Sequence, residues 1–536
     1  MLGRSFSYEL LRAVTPLDEH GLNQALAKLT EAELLYQRGV SPNAMYIFKH
    51  ALIQETAYGS MLKSRRQQLH QRITQALVAQ FPETVETQPE LLAHHYTEAG
   101  LGDQAIEYWQ RAGQRCTQRS ANLEAINHLT KGLRLLETRA ESAERNRREV
   151  TLLTALGVPL QATKGFASTD VERVYVRARE LCQQIGDTPD LFPVLWGLWW
   201  FYEVRGEVRT AREMAEQVFA LAQRERDPAL LLQGHRAMGQ TLLWFGELSE
   251  ARAHLEQWKT LYRQPEHHSL AFRYGMDPGV ALGAFESWAL WFLGYPEQSL
   301  CTMQAALALA EELSHPFSLA FARDHIAWLH SYRRENRLTE ERAEADMALS
   351  MDQGFPFFFA HGTGLHGWAL AVQGRIAEGI AEIHRSLTVL RETGAELTRI
   401  YLLALLANAY EMGGRIEEGL SALTEALAIS DKNGLRSCCW AAELHRLKGK
   451  LLLRQATGDA QEAEACFLRA LDVARSQSGK ALELRAAVAL GRLWQQHGKR
   501  EDAHRMLAEI YGWFSEGFDT PDLKDARALL DELTTQ

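Results

Sequence analysis

The chain has 536 residues, 46% hydrophobic and 24% charged, and its 58 basic against 68 acidic side chains leave a net charge of −10. With no long run of either sign, that balance argues against a dedicated nucleic-acid binder. The longest strongly apolar stretch, Leu191 to Tyr202, is too short for a bilayer and reads as a buried core helix, so no membrane partner is expected. Arg4, Glu9 and Arg12 interrupt the first hydrophobic residues, which excludes a signal-peptide pattern and makes a cytoplasmic protein the expectation. Cys116, Cys182, Cys301, Cys438, Cys439 and Cys466 form no C-x-x-C pair, and no His cluster has zinc-finger spacing. Reduced thiols buried in helix interfaces, and no metal, follow as expectations.

In chain order, residues 1–86 come first and stand apart. Leu22, Leu26 and Leu29 form a helical stripe, and Glu33–Arg38 and Met45–Phe48 read as short strands around Gly39-Val40-Ser41-Pro42. His50–Leu62 and Arg65–Gln80 are helical by apolar spacing. Helix, hairpin and helix is the outline of a winged-helix unit. Residues 87–190 continue as irregular hairpins, with a good hinge at Gly100/Ala105 and weaker ones at Ser120/Ala125 and Gly165/Asp170.

From 191 to 518 a hinge recurs about every forty residues, each followed five positions later by a small residue that opens a helix. The pairs are Gly206/Ala211, Gly246/Ala251, Gly294/Ser299, Gly374/Gly379, Gly414/Gly419, Gly458/Ala463 and Gly498/Ala503, with Asn336/Glu341 the poorest copy. Gly239, Ser287, Gly367, Ala407 and Gly491 stand seven before their hinges, whereas Gly449 stands nine before Gly458. A small residue inside a helix costs stability unless another helix packs there. Fixed-period helical hairpins therefore predict an all-α superhelical solenoid, closed by a capping helix over 519–536.

These offsets match the tetratricopeptide (TPR) pattern, with Tyr202, Tyr332, Tyr410 and Trp494 at its aromatic position. The whole chain also resembles the C-terminal half of a bacterial family that joins a class III nucleotide-cyclase domain, a STAND-type AAA ATPase and a long TPR array. The segments that carry the resemblance are GRSFSYELL (Gly3–Leu11), YIFKHALIQETAY (Tyr46–Tyr58), QPELLAHHYTEAG (Gln88–Gly100), YGMDPGV (Tyr274–Val280) and WFSEGFDTPDL (Trp513–Leu523). The resemblance implies that residues 1–86 are a winged-helix remnant of the ATPase and that the array senses or docks a partner. No G-x-x-x-x-G-K-[ST] occurs, so the phosphate-cradling loop is missing, and no cyclase segment is present. The chain is thus expected to be a truncated product or a stand-alone descendant without ATPase or cyclase activity. The resemblance also implies an ATPase or cyclase module acting in trans as a partner.

Phe48-Lys49-His50 resembles the STAND position whose His touches the β-phosphate of ADP, which makes His50 a candidate nucleotide-state sensor; the alternative is a helix-start residue beside a core of Phe48, Leu52 and Ile53. Lys63, Arg65, Arg66 and Arg72 suit phosphate contacts, yet only Gln67, Gln68 and His70 nearby suit base reading, so a solvated face is the better account. Counted back from the hinges, the inner wall of the array carries Trp196, Trp200 and Glu203; Arg236, Gln240 and Trp244; and Trp288, Trp291 and Phe292. It continues with His330, Arg333 and Arg334; Trp368; Asn408 and Glu411; and Arg492 and Gln495. Each Trp alone fits a core, but together with the Arg side chains they compose a groove for a protein or peptide partner. Phe355–Phe359 leads into His361-Gly362-Thr363-Gly364, which reads equally as an inter-repeat turn. No H-E-x-x-H or G-x-S-x-G occurs, and no catalytic residue or cofactor is expected. The runner-up function is a transcriptional regulator in the style of maltose-type activators, with DNA met by the winged helix or a separate partner.

Overall fold

A computed structural model describes residues 1–186, 188–455 and 459–534. Contacts divide the chain into two compact units, Met1–Leu156 and Gly157–Gln536.

The first unit opens with β1 (Ser5–Ser7), α1 (Tyr8–Val14), α2 (Glu19–Glu31), β2 (Leu35–Arg38), β3 (Met45–Phe48), α3 (Ala51–Gly59) and α4 (Lys63–Gln80). The strands form an antiparallel sheet in the order β1-β3-β2, with Ser5 opposite Ile47 and Leu35 opposite Phe48. β1 was not foreseen, because three residues are too few to show alternation. Phe6, Tyr8, Leu22, Leu26, Leu35, Ala44 and Tyr46 make the core. Leu52 is 73% exposed and α3 buries no residue, so the expected core role for Leu52 is corrected. Then come α5 (Pro82–Thr87), α6 (Pro89–Ala99), α7 (Gly102–Gln118) and α8 (Asn122–Glu137), with left-handed residues at Gly100 and Ser120 as the hinge pattern requires. α9 (Ala143–Lys164) follows.

The second unit is the solenoid. Its helices are α10 (Thr169–Ile185), α11 (Leu191–Val204), α12 (Val208–Glu225), α13 (Pro228–Phe245) and α14 (Leu248–Leu255). Three short helices, α15 (Trp258–Leu261), α16 (Gln264–His267) and α17 (Leu270–Tyr274), intervene before α18 (Pro278–Leu293) and account for the widest hinge spacing. Next are α19 (Pro296–Leu313), α20 (Pro316–Tyr332), α21 (Asn336–Gln353), α22 (Pro356–Val372), α23 (Ile376–Glu392), α24 (Arg399–Met412) and α25 (Ile416–Lys432). The series ends with α26 (Ala441–Leu452), α27 (Ala460–Ser476), α28 (Lys480–Gln496), α29 (Arg500–Tyr511) and the predicted cap, α30 (Pro521–Thr534), which buries Leu523, Leu529, Leu530 and Leu533.

Gly206, Gly246, Gly294, Gly374, Gly414 and Gly498 all have positive φ, as helix-terminating turns demand. Gly458 lies outside the described residues. Asn336 is a correction: it begins α21, and the left-handed residue is Arg334 at φ 60°. Five residues on from Arg334 stands Thr339, fully buried and small, so the repeat holds with its register moved by two. The Gly-rich run at His361 is helix interior rather than a turn. There, a Cβ on Gly367 would sit 2.7 Å from the Gly379 carbonyl oxygen, which shows why α22 and α23 need glycine where they cross.

The hairpins wind through more than one superhelical turn. After five of them the chain lies on its own start: the Glu396 and Leu397 amides donate to the Val204 carbonyl at 3.0 and 3.2 Å. Further on, Arg334 pairs with Asp522 and Asp525, and the Glu297 amide donates to Glu516, contacts between residues 188 to 219 apart in sequence. No described helix is long and apolar enough to cross a membrane. The cysteines are free, and Cys301 is exposed, against the expectation that all lie in interfaces.

Candidate functional site

The inner helices of the first turn are α11, α13, α18 and α20, and the residues expected to line an open groove there are brought together but closed over. Trp196, Trp200, Trp244, Trp288 and Trp291 are each no more than 4% exposed. Their bulk explains the closure. Trp440, at the head of α26 in the next turn, inserts among them, 5.2 Å from the Trp244 ring and 6.1 Å from that of Trp328. Its indole N–H donates to the Tyr332 hydroxyl at 3.0 Å. Phe166 enters from the other side and stacks on Trp200 at 4.3 Å. The first-turn wall is therefore core, a correction to the open groove.

Polar members of that wall are buried too. Glu203 accepts from Gln240 and from the Thr241 hydroxyl, the latter at 3.3 Å, and burial pushes its carboxyl up to about 7 against those bonds. Arg236 lies 5.0 and 4.4 Å from the Trp196 and Trp200 rings, and burial lowers its guanidinium to about 9. Its NH2 meets the Met276 sulfur at 3.7 Å, so the YGMDPGV segment serves packing. In the same segment Asp277 caps α18 by accepting from Gly279 and Val280. His330 and Arg333 are buried against Glu335, and Arg333 also donates to the Pro296 carbonyl at 2.6 Å. With the register moved by two, the wall positions of that repeat are Trp328, Ser331 and Tyr332, all buried.

The second turn is different. Its inner helices α24, α26 and α28, with α22 and α30 beside them, enclose an open cleft of about 740 Å³. Five of the expected groove residues, Arg334, Trp368, Asn408, Glu411 and Arg492, line it. The Trp368 indole donates to Asn408 Oδ1 at 3.0 Å, which holds the Asn408 amide toward Glu411 at 3.4 Å. Its floor is small or aliphatic: Ala404, Leu405, Leu447, Val488 and Ala489. Arg446, Lys450 and Arg454 also line it and were missed, because the two-residue insertion before Gly458 left that repeat without counted wall positions; Arg485 lines it too, from α28 seven residues before Arg492 and ahead of the positions counted there. The signal was nonetheless present, since Arg446, Lys450 and Arg454 recur at a helical spacing of four. Glu443 binds Arg446 through both oxygens at 2.7 and 2.8 Å, and although burial opposes ionisation, Arg446, Arg485 and Lys450 hold its carboxyl down at about 2.

In the first unit, His50 is exposed at the N-cap position of α3 and its side chain makes no capping bond. His70, considered for base reading, is 1% exposed and lies 2.8 Å from His95, so it faces the core. Among the described residues one group has metal-donor atoms within 4.8 Å of one another, Glu340, Glu344 and His366. The imidazole is already engaged from both sides, by Glu382 at 2.6 Å and Glu344 at 3.5 Å.

No protein-family model matches the chain. An uncharacterized protein of Rhizobium meliloti (strain 1021) is 29% identical over 495 residues, which cover 90% of this chain and 47% of that protein. The chain thus spans about half the length of the curated relative it matches. Among solved structures, a Rap protein complexed with competence and sporulation factor aligns over 73% of this chain and 100% of its own, with TM-score 0.49 and 11% identity. The apo quorum sensor NprR from B. thuringiensis aligns over 69% of this chain and 99% of its own, with TM-score 0.41 and 12% identity. A Signal Transduction ATPase with Numerous Domains (STAND) protein with a tetratricopeptide repeat sensor, from Pyrococcus horikoshii, covers 99% of this chain and 62% of its own, with TM-score 0.33 and 13% identity.

Proposed function

We propose that this chain is a docking and sensing module that binds a protein or peptide segment in the second-turn cleft and carries no chemistry of its own. One observation carries the reading: an open concave surface of about 740 Å³ on consecutive inner helices, beside a first turn whose equivalent surface is filled. A pocket of this size with an aliphatic floor and convergent polar groups has the make-up of a ligand site. Non-catalysis is favoured by the lining, where among the described residues no His or Cys appears and Glu411, Glu443 and Asp522 are tied to cations. We further read residues 1–86 as a winged-helix remnant and the array as the sensor of a STAND ATPase and cyclase system. In that reading His50, which is exposed, is the candidate to meet nucleotide.

The test is selection of binders from a random-peptide display library against the full chain. Ala489→Trp places an indole on the half-buried cleft floor and should abolish capture while leaving the melting temperature near the parent's. Binders that are retained on this variant, or a library that yields none, would overturn the cleft as the docking site.

A further inference from the structure

Resting on that docking reading, we infer that the segment the cleft takes is an acidic one, an extended peptide with aliphatic side chains and more than one carboxylate. Six cationic side chains line the cleft against four carboxylates, in a chain whose net charge is −10. The positive excess is thus local and opposes the charge of the whole molecule.

The internal acids do not exhaust these cations. Glu411 is shared by Lys450 and Arg454, each at 3.0 Å. Asp522 is shared by Arg485 at 2.8 Å and Arg334 at 3.1 Å. An ammonium offers three donors and a guanidinium five, so one shared carboxylate leaves several unused. Lys450 and Arg454 are 47% and 53% exposed and can turn those donors to a ligand without releasing Glu411. Arg492 is exposed in the cleft wall and has no hydrogen-bond or ion-pair partner among the described residues.

Placement gives the ligand its second property. Lys450, in the last turn of α26, and Arg454, two residues past its end, meet at Glu411 and so stand together on one side of the cleft, and Arg485 and Arg492 share a face of α28 by their spacing of seven. Half-buried Val488 and Ala489 stand between the latter pair, and Leu453, 39% exposed, stands between Lys450 and Arg454. Cations alternate with aliphatic surface at the end of α26 and along α28, and the matching ligand alternates carboxylates with aliphatic groups. A nucleic acid fits less well. The aromatics of the cleft, Trp368, Tyr401 and Phe467, are no more than 6% exposed and offer no face for stacking bases, and four carboxylates oppose a phosphate backbone.

The experiment uses the full chain and fluorescein-labelled peptides resynthesised from the display selection. Each is compared by anisotropy with its copy in which Glu and Asp become Gln and Asn. The expected result is a loss of about tenfold or more for the amide copies, and affinity of the acidic ones that falls with added salt. The double variant Lys450→Gln, Arg492→Gln should weaken the acidic peptides by a similar factor and leave the amide copies unchanged, while Arg454 keeps Glu411 paired. Amide copies that bind the parent chain as well as the acidic originals, with Ala489→Trp still blocking them, would overturn the acidic ligand but keep the docking reading. Binding indifferent to Ala489→Trp would overturn both. Competition by a single-stranded oligonucleotide stronger than by the unlabelled peptide would replace the peptide with nucleic acid.

Discussion

The two turns of the solenoid share one repeat and one register, yet the first has no inner surface and the second does. In the first, inner positions carry Trp196, Trp200, Trp244, Trp288, Trp291 and Trp328, and rings from the following turn complete the fill. In the second, comparable positions carry Ala404, Asn408, Val488 and Arg492, and the axis stays open. Hairpin geometry sets the path of the chain, but side-chain volume at the axis decides which stretch can hold a ligand. The closed turn then supplies the rigid floor on which the open one is built.

The largest effect is expected at Trp440, a residue of the second turn that is buried among the rings of the first. Trp440→Ala would remove stacking on Tyr401 at 5.7 Å and orphan the Tyr332 hydroxyl, in a place where neighbours cannot collapse inward. A loss of about 3–5 kcal/mol is expected by chemical denaturation. Val488→Ala, on the half-buried cleft floor, should cost about 1 kcal/mol or less. Equal losses would mean that the turns are filled alike.

Closure of the first turn also gives its stability a pH dependence at Glu203. Its folded carboxyl is raised from an ordinary 4.5 to about 7 by burial, so between those values the folded chain holds a proton that the unfolded chain has released. Its contribution to stability therefore falls as pH rises through that window and is flat above it, by roughly 3 kcal/mol at most. Relative to the parent, Glu203→Gln should gain melting temperature as pH climbs from about 4.5 to about 7 and hold the gain beyond. A difference independent of pH would show that Glu203 meets solvent, and that the first turn is open.

How far the sequence could carry this is clear from single residues. Gly206, Gly246, Gly294, Gly374 and Gly414 were legible because a left-handed turn restricts residue type locally. Arg334 was not, since a non-glycine took the same φ and left no mark, and Asn336 was read in its place. Trp368, Asn408, Glu411 and Arg492 were found by counting from intact hinges, whereas Lys450 and Arg454 lay in the one repeat with an insertion. Closure of the first turn was beyond such counting. It depends on Trp440 meeting Trp244 and Trp328 from the next turn, and periodicity carries no information about residues so far apart.

A small effect is expected where the end of the array clips onto the first turn. α19 starts with Pro296, so its next amides have no partner within the helix. Glu516, between α29 and α30, supplies one: its Oε1 accepts from the Glu297 amide at 2.8 Å and the Gln298 amide at 3.1 Å, and its Oε2 from the Gln298 side chain at 2.9 Å. In return, Glu297 accepts from the Gly517 amide at 2.8 Å. The carboxylate thus acts as a helix cap donated by a residue 219 positions away. Glu516→Ala should cost about 1 kcal/mol, as loss of an ordinary cap does, and Glu516→Gln less because an acceptor oxygen remains. Amide exchange at Glu297 and Gln298 should quicken in the alanine variant, while amides deep in α18, fenced by Trp288 and Trp291, keep their protection. Exchange that quickens equally in both places would show that the clip, rather than the aromatic fill, holds the first turn shut.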